Sequence, residues 1–256
     1  MPSKVDSAKM TIKTTQDYSE PTEQRDSRYL PTELHGLFAG PKDYLVSGIF
    51  NAMARYAPFV YPDEKFFVAR SENAPSLLAS PVASLTFLEF LVAVLQPMRI
   101  LEIGTYVGLS ALYMASTLPS GGQITTLEKY PRFADIARNN FTANGKDNVI
   151  RCITGDAWET LSTLEAEAQP FDFMFLDGDK ERYADYFPRL AQLLRVGGLL
   201  VVDNAFFYCD VLNDPPVTEK GAGVLRFLEV TRGLKNWRRC LLPFVDGLVL
   251  MHKMSE

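Results

Sequence analysis

Arg99-Ile-Leu-Glu-Ile-Gly-Thr-Tyr-Val-Gly108 joins a short β-rich run, Arg99 to Ile103, to a glycine-bearing turn, and from Ser110 the chain reads as helix. A strand that passes through such a turn into a helix opens a βαβ unit. Downstream the alternation repeats: Gln123 to Leu127 with a helix from Pro131, Val149 to Thr154 with a helix from Trp158, Phe171 to Leu176 with a helix from Tyr183, and then Leu199 to Val202. Apolar runs of this kind between helices predict strands buried on both faces. Near the end, Trp237 to Pro243 and Gly247 to Lys253 face each other across Phe244-Val-Asp-Gly247, the spacing of a hairpin. The expected fold is α/β: a Rossmann-like, doubly wound, mostly parallel seven-stranded sheet with an antiparallel C-terminal hairpin strand.

Upstream, Ser84 to Leu95 is apolar and free of Gly and Pro, which predicts a buried helix ended by Pro97. Residues 30–80 carry Pro31, Pro41, Pro58 and Pro62 between apolar patches, which predicts a cap of short broken helices. Residues 1–29 are polar and have no apolar segment of signal-peptide type, so they read as a disordered leader, with the main domain at 81–256.

The chain has 256 residues, 47% of them hydrophobic, enough for one sizeable core. With 26 basic and 31 acidic residues and a net charge of -5, it has no global field for nucleic acid or an anionic membrane, and a small-molecule partner fits better. No apolar run approaches the roughly 20 residues of a spanning helix. Cys152, Cys209 and Cys240 form no CxxC pair, which points to a reducing, cytoplasmic chain. His35 and His252 lie near no partner motif and read as structural or surface residues.

Glu102-Ile-Gly-Thr-Tyr-Val-Gly108 ends a strand where doubly wound sheets bind ligands. A pyrophosphate loop needs GxGxxG, but Tyr106 stands at the second glycine position. A phosphate-free nucleoside is the better guest, and S-adenosylmethionine is one. Its amino acid end is expected near Gly104 and Ser110, with Glu102 orienting it. Glu128, ending the next strand, is the ribose ligand, and Asp156 and Ala157 are the adenine contacts.

Asp177 ends one apolar run, and Asp203-Asn204 ends the neighbouring one. Two carboxylates and an amide suit a hard cation, Mg²⁺ by default, with Mn²⁺ or Ca²⁺ as alternatives. The same acids also read as helix caps. Lys180 reads either as a surface lysine or as a general base whose pKa falls beside a cation. Phe206, Phe207 and Tyr208 read equally as an aromatic wall or as core.

LEIGTYVGLS, FDFMFLDGDKERY, GGLLVVDN and LLPFVDGLVL, in this order, resemble the cation-dependent O-methyltransferases of the catechol and caffeoyl-CoA type over about Ser80 to Lys253. The resemblance implies that Asp177, Asp203 and Asn204 are metal ligands and that Lys180, with Asp177, is catalytic. It also implies that Glu102, Gly104, Tyr106, Ser110, Glu128, Asp156, Ala157 and Asp177 line the S-adenosylmethionine site, and that the protein is a homodimer. The chain departs from the family pattern at Ser80-Pro-Val-Ala-Ser-Leu-Thr86 and Ala205-Phe-Phe-Tyr-Cys209. The expected activity is methyl transfer to a small catechol-like acceptor. The alternatives are an S-adenosylmethionine-binding protein without turnover, a metal-independent methyltransferase and an NAD-dependent oxidoreductase.

Overall fold

The computed structural model describes residues 62–69, 80–243 and 245–256. The expected leader, His35, Pro31, Pro41 and Pro58 lie outside the described residues, as does most of the expected cap. Pro62–Lys65 is one helical turn (α1), opened by a proline as first-turn geometry allows. Val82–Leu95 (α2) buries Leu85, Leu88 and Val92 and ends at Gln96, which takes a left-handed cap conformation just before Pro97.

The strands follow the predicted order: Arg99–Ile103 (β1), Gln123–Glu128 (β2), Ile150–Thr154 (β3), Phe171–Leu176 (β4), Leu194–Val202 (β5), Trp237–Leu242 (β6) and Leu248–Lys253 (β7). Between them run Leu109–Ser116 (α3), Pro131–Ala143 (α4), Ala157–Glu167 (α5), Tyr183–Leu193 (α6) and Glu219–Thr231 (α7). The seven-stranded sheet has the order β3-β2-β1-β4-β5-β7-β6. Strands β1 to β5 are parallel, β7 runs antiparallel to β5, and β6 pairs antiparallel with β7. The predicted Rossmann-like architecture is therefore the observed one.

Alternation along the strands assigns residues to two cores. Leu101 and Ile103 of β1 pack with Leu176, Tyr183, Phe187 and Phe227, while Ile100 packs on the other face with Leu88, Leu112, Phe141 and Phe175. Burying each such side chain is worth about 1.5–3 kcal/mol.

The direction of winding reverses between β1 and β4, and there the carboxyl ends of neighbouring strands are stitched level. Asp177 N–H donates to Ile103 O at 2.8 Å, Gly104 N–H to Leu127 O at 3.0 Å and Asp203 N–H to Leu176 O at 3.0 Å. Three loops consequently leave the sheet side by side over the switch point, where open α/β sheets bind ligands.

Helix α7 has no counterpart in the sequence reading. Thr218 caps it by accepting from Gly221 N–H at 3.0 Å. Its glycines serve close approach: a Cβ on Gly223 would lie 2.5 Å from Glu181 Cα and from Lys180 O. That spacing brings α7 against the 3₁₀ turn Lys180–Arg182.

Candidate active site

A cavity of about 420 Å³ opens at the switch point, a volume suited to a small-molecule ligand. Gly104, Tyr106, Ser110, Glu128, Asp177, Lys180, Asp203 and Asn204, singled out from the sequence, all line it. Glu102, Asp156 and Ala157 do not.

Gly104 is held in a left-handed conformation, with φ at +99°. A Cβ there would sit 2.4 Å from Asp177 O, so only glycine lets the β1 loop rest on the β4 loop. The glycine-loop end and the acidic end of the cavity thus share a wall. Glu128 fixes the loop's shape: its carboxylate accepts from Tyr106 N–H at 2.8 Å, Tyr130 N–H at 2.9 Å and Thr105 N–H at 3.3 Å. A carboxylate has about four acceptor positions, so capacity remains for a hydroxyl donor. Tyr130 and Phe133 also line this end, and Phe133 meets Tyr106 edge to face at 4.8 Å.

Glu102 lies behind the loop, fully buried. Thr126 Oγ1 donates to its Oε2 and also bonds Thr105 Oγ1, whereas its Oε1 meets no hydrogen bond of good geometry among the described residues. Burial pushes the Glu102 carboxyl up to about 8, and the Ser110 and Thr126 hydroxyls offset this only in part. Asp156 Oδ1 accepts from Trp158 N–H at 2.8 Å as the cap of α5, and Arg182 Nη1 approaches the same oxygen at 3.1 Å. Its side chain is thus engaged in capping and pairing, and Ala157 begins the helix behind it.

At the acidic end Asp177 Oδ1 accepts from Lys180 Nζ at 2.5 Å, and Asp177 Oδ2 from Ser80 Oγ at 3.3 Å. Burial works against the Lys180 ammonium, but the charge of Asp177, helped by Tyr183 and Asp203, outweighs it and raises the amine above the ordinary lysine value. The protein's own groups thus act opposite to the fall expected from the sequence. Asp203 is pushed up to about 7, first by burial and then by the negative charge of Asp177. Carboxylates that disfavour each other's ionisation favour a cation between them. Asp177, Asp203 and the Asn204 amide form a hard oxygen set of the type Mg²⁺, Mn²⁺ and Ca²⁺ prefer. Among the described residues no group of three or more His, Cys, Asp or Glu side chains is arranged to hold a metal, so a cation at this end would need the Asn204 amide and oxygens from outside the protein.

Several lining residues were not picked out from the sequence. Lys220 stands at the start of α7, and Val245 and Asp246 belong to the β6–β7 turn. Asp246 went unnoticed because an Asp-Gly pair in a hairpin reads as turn chemistry. Of the aromatic trio, Phe207 and Tyr208 line the cavity, whereas Phe206 packs where a Cβ on Gly247 would fall. Asn204, Phe207, Tyr208 and Cys209 all take positive φ values, a cluster of strained backbone beside the cavity. His252 pairs with Leu199 within the sheet, away from the lining.

The O-methyltransferase family model matches residues 66–254. A catechol O-methyltransferase from Niastella koreensis is 35% identical over 186 residues, covering 70% of this chain and 84% of its own. Among solved structures, the O-methyltransferase TomG of Streptomyces achromogenes, in complex with S-adenosylmethionine, superposes with a TM-score of 0.68 at 27% identity, covering 75% of this chain and 94% of its own. A Bacillus cereus O-methyltransferase in complex with S-adenosylhomocysteine gives 0.64 at 26% identity, covering 86% and 95%. Sheet order, the loop over the switch point and the extent of these matches agree: the chain belongs to the O-methyltransferase family.

Proposed function

We propose that the protein transfers the methyl group of S-adenosylmethionine to one hydroxyl of a small aromatic acceptor carrying two adjacent oxygens, with the help of a divalent cation, Mg²⁺ by default. The observation that carries this reading is the meeting, in one cavity, of the Glu128-braced glycine loop with Asp177, Lys180, Asp203 and Asn204.

In this reading Glu128 accepts from the ribose, and Gly104, Tyr106 and Ser110 hold the amino acid end. Glu102 acts on that end through Thr126 and Thr105, and Asp156 and Ala157, at the start of α5 and outside the cavity lining, would reach the adenine only if Asp156 let go of Arg182. Asp177, Asp203 and Asn204 would hold the cation, which would supply Lewis acidity to an acceptor hydroxyl. Lys180, released from its pairing with Asp177 and having given its own proton to solvent, would accept the hydroxyl proton at Nζ. The freed oxygen lone pair forms the new bond to the methyl carbon, the carbon–sulfur bond breaks, and sulfur keeps its electrons as S-adenosylhomocysteine. Phe207 and Tyr208 wall the acceptor. The level carboxyl ends of β1, β4 and β5 supply alignment, which can lower the barrier by several kcal/mol. The reading includes a homodimer, tested by a light-scattering mass of twice the chain.

The test is methyl transfer from labelled S-adenosylmethionine to a panel of catechols, run with Mg²⁺ and again with EDTA. Product that depends on the ion is expected. Equal product with EDTA rejects the cation, and no product with any vicinal dihydroxy aromatic, despite measurable cofactor binding, rejects the acceptor class.

A further inference from the structure

Asp246 stands in the β6–β7 turn and lines the cavity beside Asn204. Its two carboxylate oxygens are divided between two donors: Oδ2 accepts from Asn204 Nδ2 at 3.0 Å, and Oδ1 accepts from Tyr208 N–H at 2.7 Å. The backbone holds it in place from the same side, with Phe206 N–H donating to Asp246 O at 2.8 Å and Ala205 N–H to Gly247 O at 2.9 Å. The turn is therefore clamped onto the segment that follows β5.

An asparagine amide has a donor end and an acceptor end, and only the oxygen can coordinate a cation. An ionised carboxylate accepts and does not donate, so a bond to Asp246 is possible only with the nitrogen end of Asn204. That choice leaves Asn204 Oδ1, which bonds no described residue, available to the cavity. We propose that Asp246 is a positioning residue that fixes the rotamer of Asn204 for cation capture, and that through Tyr208 it ties the cation site to the acceptor wall. This inference rests on the cation reading above.

Asp246→Asn makes a specific prediction. The Tyr208 N–H cannot turn round, so it claims the single oxygen of the new amide. The new –NH₂ group then faces Asn204, whose amide must flip and present its own –NH₂ to the cation. The exchange variant Asn204→Asp/Asp246→Asn restores the pairing: Asp at 204 accepts from the amide at 246 and still offers an oxygen to the cavity.

The experiment is Mn²⁺ titration by calorimetry in the presence of S-adenosylhomocysteine, without acceptor or turnover. Unsubstituted protein is expected to bind Mn²⁺, and Asp246→Asn to bind it about 10–100-fold more weakly, the usual effect of losing a group that orients a ligand. Asp246→Ala, which removes the carboxylate without forcing the flip, is expected to lose less. The exchange variant is expected to regain most of the affinity. S-adenosylhomocysteine affinity should stay within about twofold throughout, which shows that the fold is intact. Unchanged Mn²⁺ affinity in Asp246→Asn, or no recovery in the exchange variant, overturns the inference. Absence of Mn²⁺ binding by the unsubstituted protein overturns the cation reading, and the inference with it.

Discussion

Glu102 and Lys180 are ionisable side chains whose surroundings set their charge. The Glu102 carboxyl, held up to about 8 by burial, is neutral in the folded protein over a range where an unfolded glutamate is charged. Because its folded value is the higher one, the stability it contributes is complete below about 4.5 and is lost as pH rises through about 8. Unfolding free energies from urea titrations between pH 4.5 and 8.5 should therefore fall less steeply for Glu102→Gln than for the unsubstituted protein, by a difference on the order of a few kcal/mol. Parallel curves would show that Glu102 is charged in the fold. Lys180 carries the second prediction at this scale: Lys180→Ala should lower kcat by ~10²–10⁴ while leaving S-adenosylhomocysteine affinity nearly unchanged. Equal losses in both would make Lys180 a binding residue. Strand-end acids were legible in the sequence because each ends an apolar run. What Asp156 does was not, because its partner Arg182 is 26 residues away and a capping role depends on local geometry.

Elements show the same division. β1 to β4 and the helices after them were readable because apolar runs and turn residues alternate with the period of a parallel sheet. α7 was missed because Gly221 and Gly223 look like loop residues, since glycine weakens a helix by about 1 kcal/mol relative to alanine. In the fold those glycines admit Asp210 and the Lys180 turn. Asp210 in turn accepts from Thr218 Oγ1 at 2.6 Å and Val217 N–H at 2.8 Å, which ties the segment after β5 to the start of α7. Gly223→Ala should push α7 away from Glu181 and cost about 1–3 kcal/mol in denaturant unfolding, with a fall in kcat because Lys180 moves with the turn. Lost stability with unchanged kcat would mean that Lys180 does not depend on α7.

At the scale of the whole molecule, the glycine loop, Glu128 and the acidic end form one cavity at the reversal of strand order, so a ligand there braces three strand ends at once. S-adenosylhomocysteine at about 100 times its Kd should add about 2.7 kcal/mol and raise the melting temperature by roughly 5–10 °C. Glu128→Ala should require far more ligand for the same rise. No shift in the unsubstituted protein at millimolar ligand would reject the cofactor, and an equal shift in the variant would reject Glu128 as its anchor. Among the described residues no helix is long and apolar enough to cross a membrane. The order of the strands and of the helices between β1 and β5, the doubly wound class and the chemistry available at each strand end were written in the linear chain, because periodicity, turn residues and donor types are local properties. The meeting of Asp246 with Asn204, 42 residues apart, the engagement of Asp156 away from the cavity and the raised Lys180 amine came from the folded chain alone. Hydrogen-bond partnership, burial and charge proximity depend on which segments the sheet brings together, and no sequence window contains them.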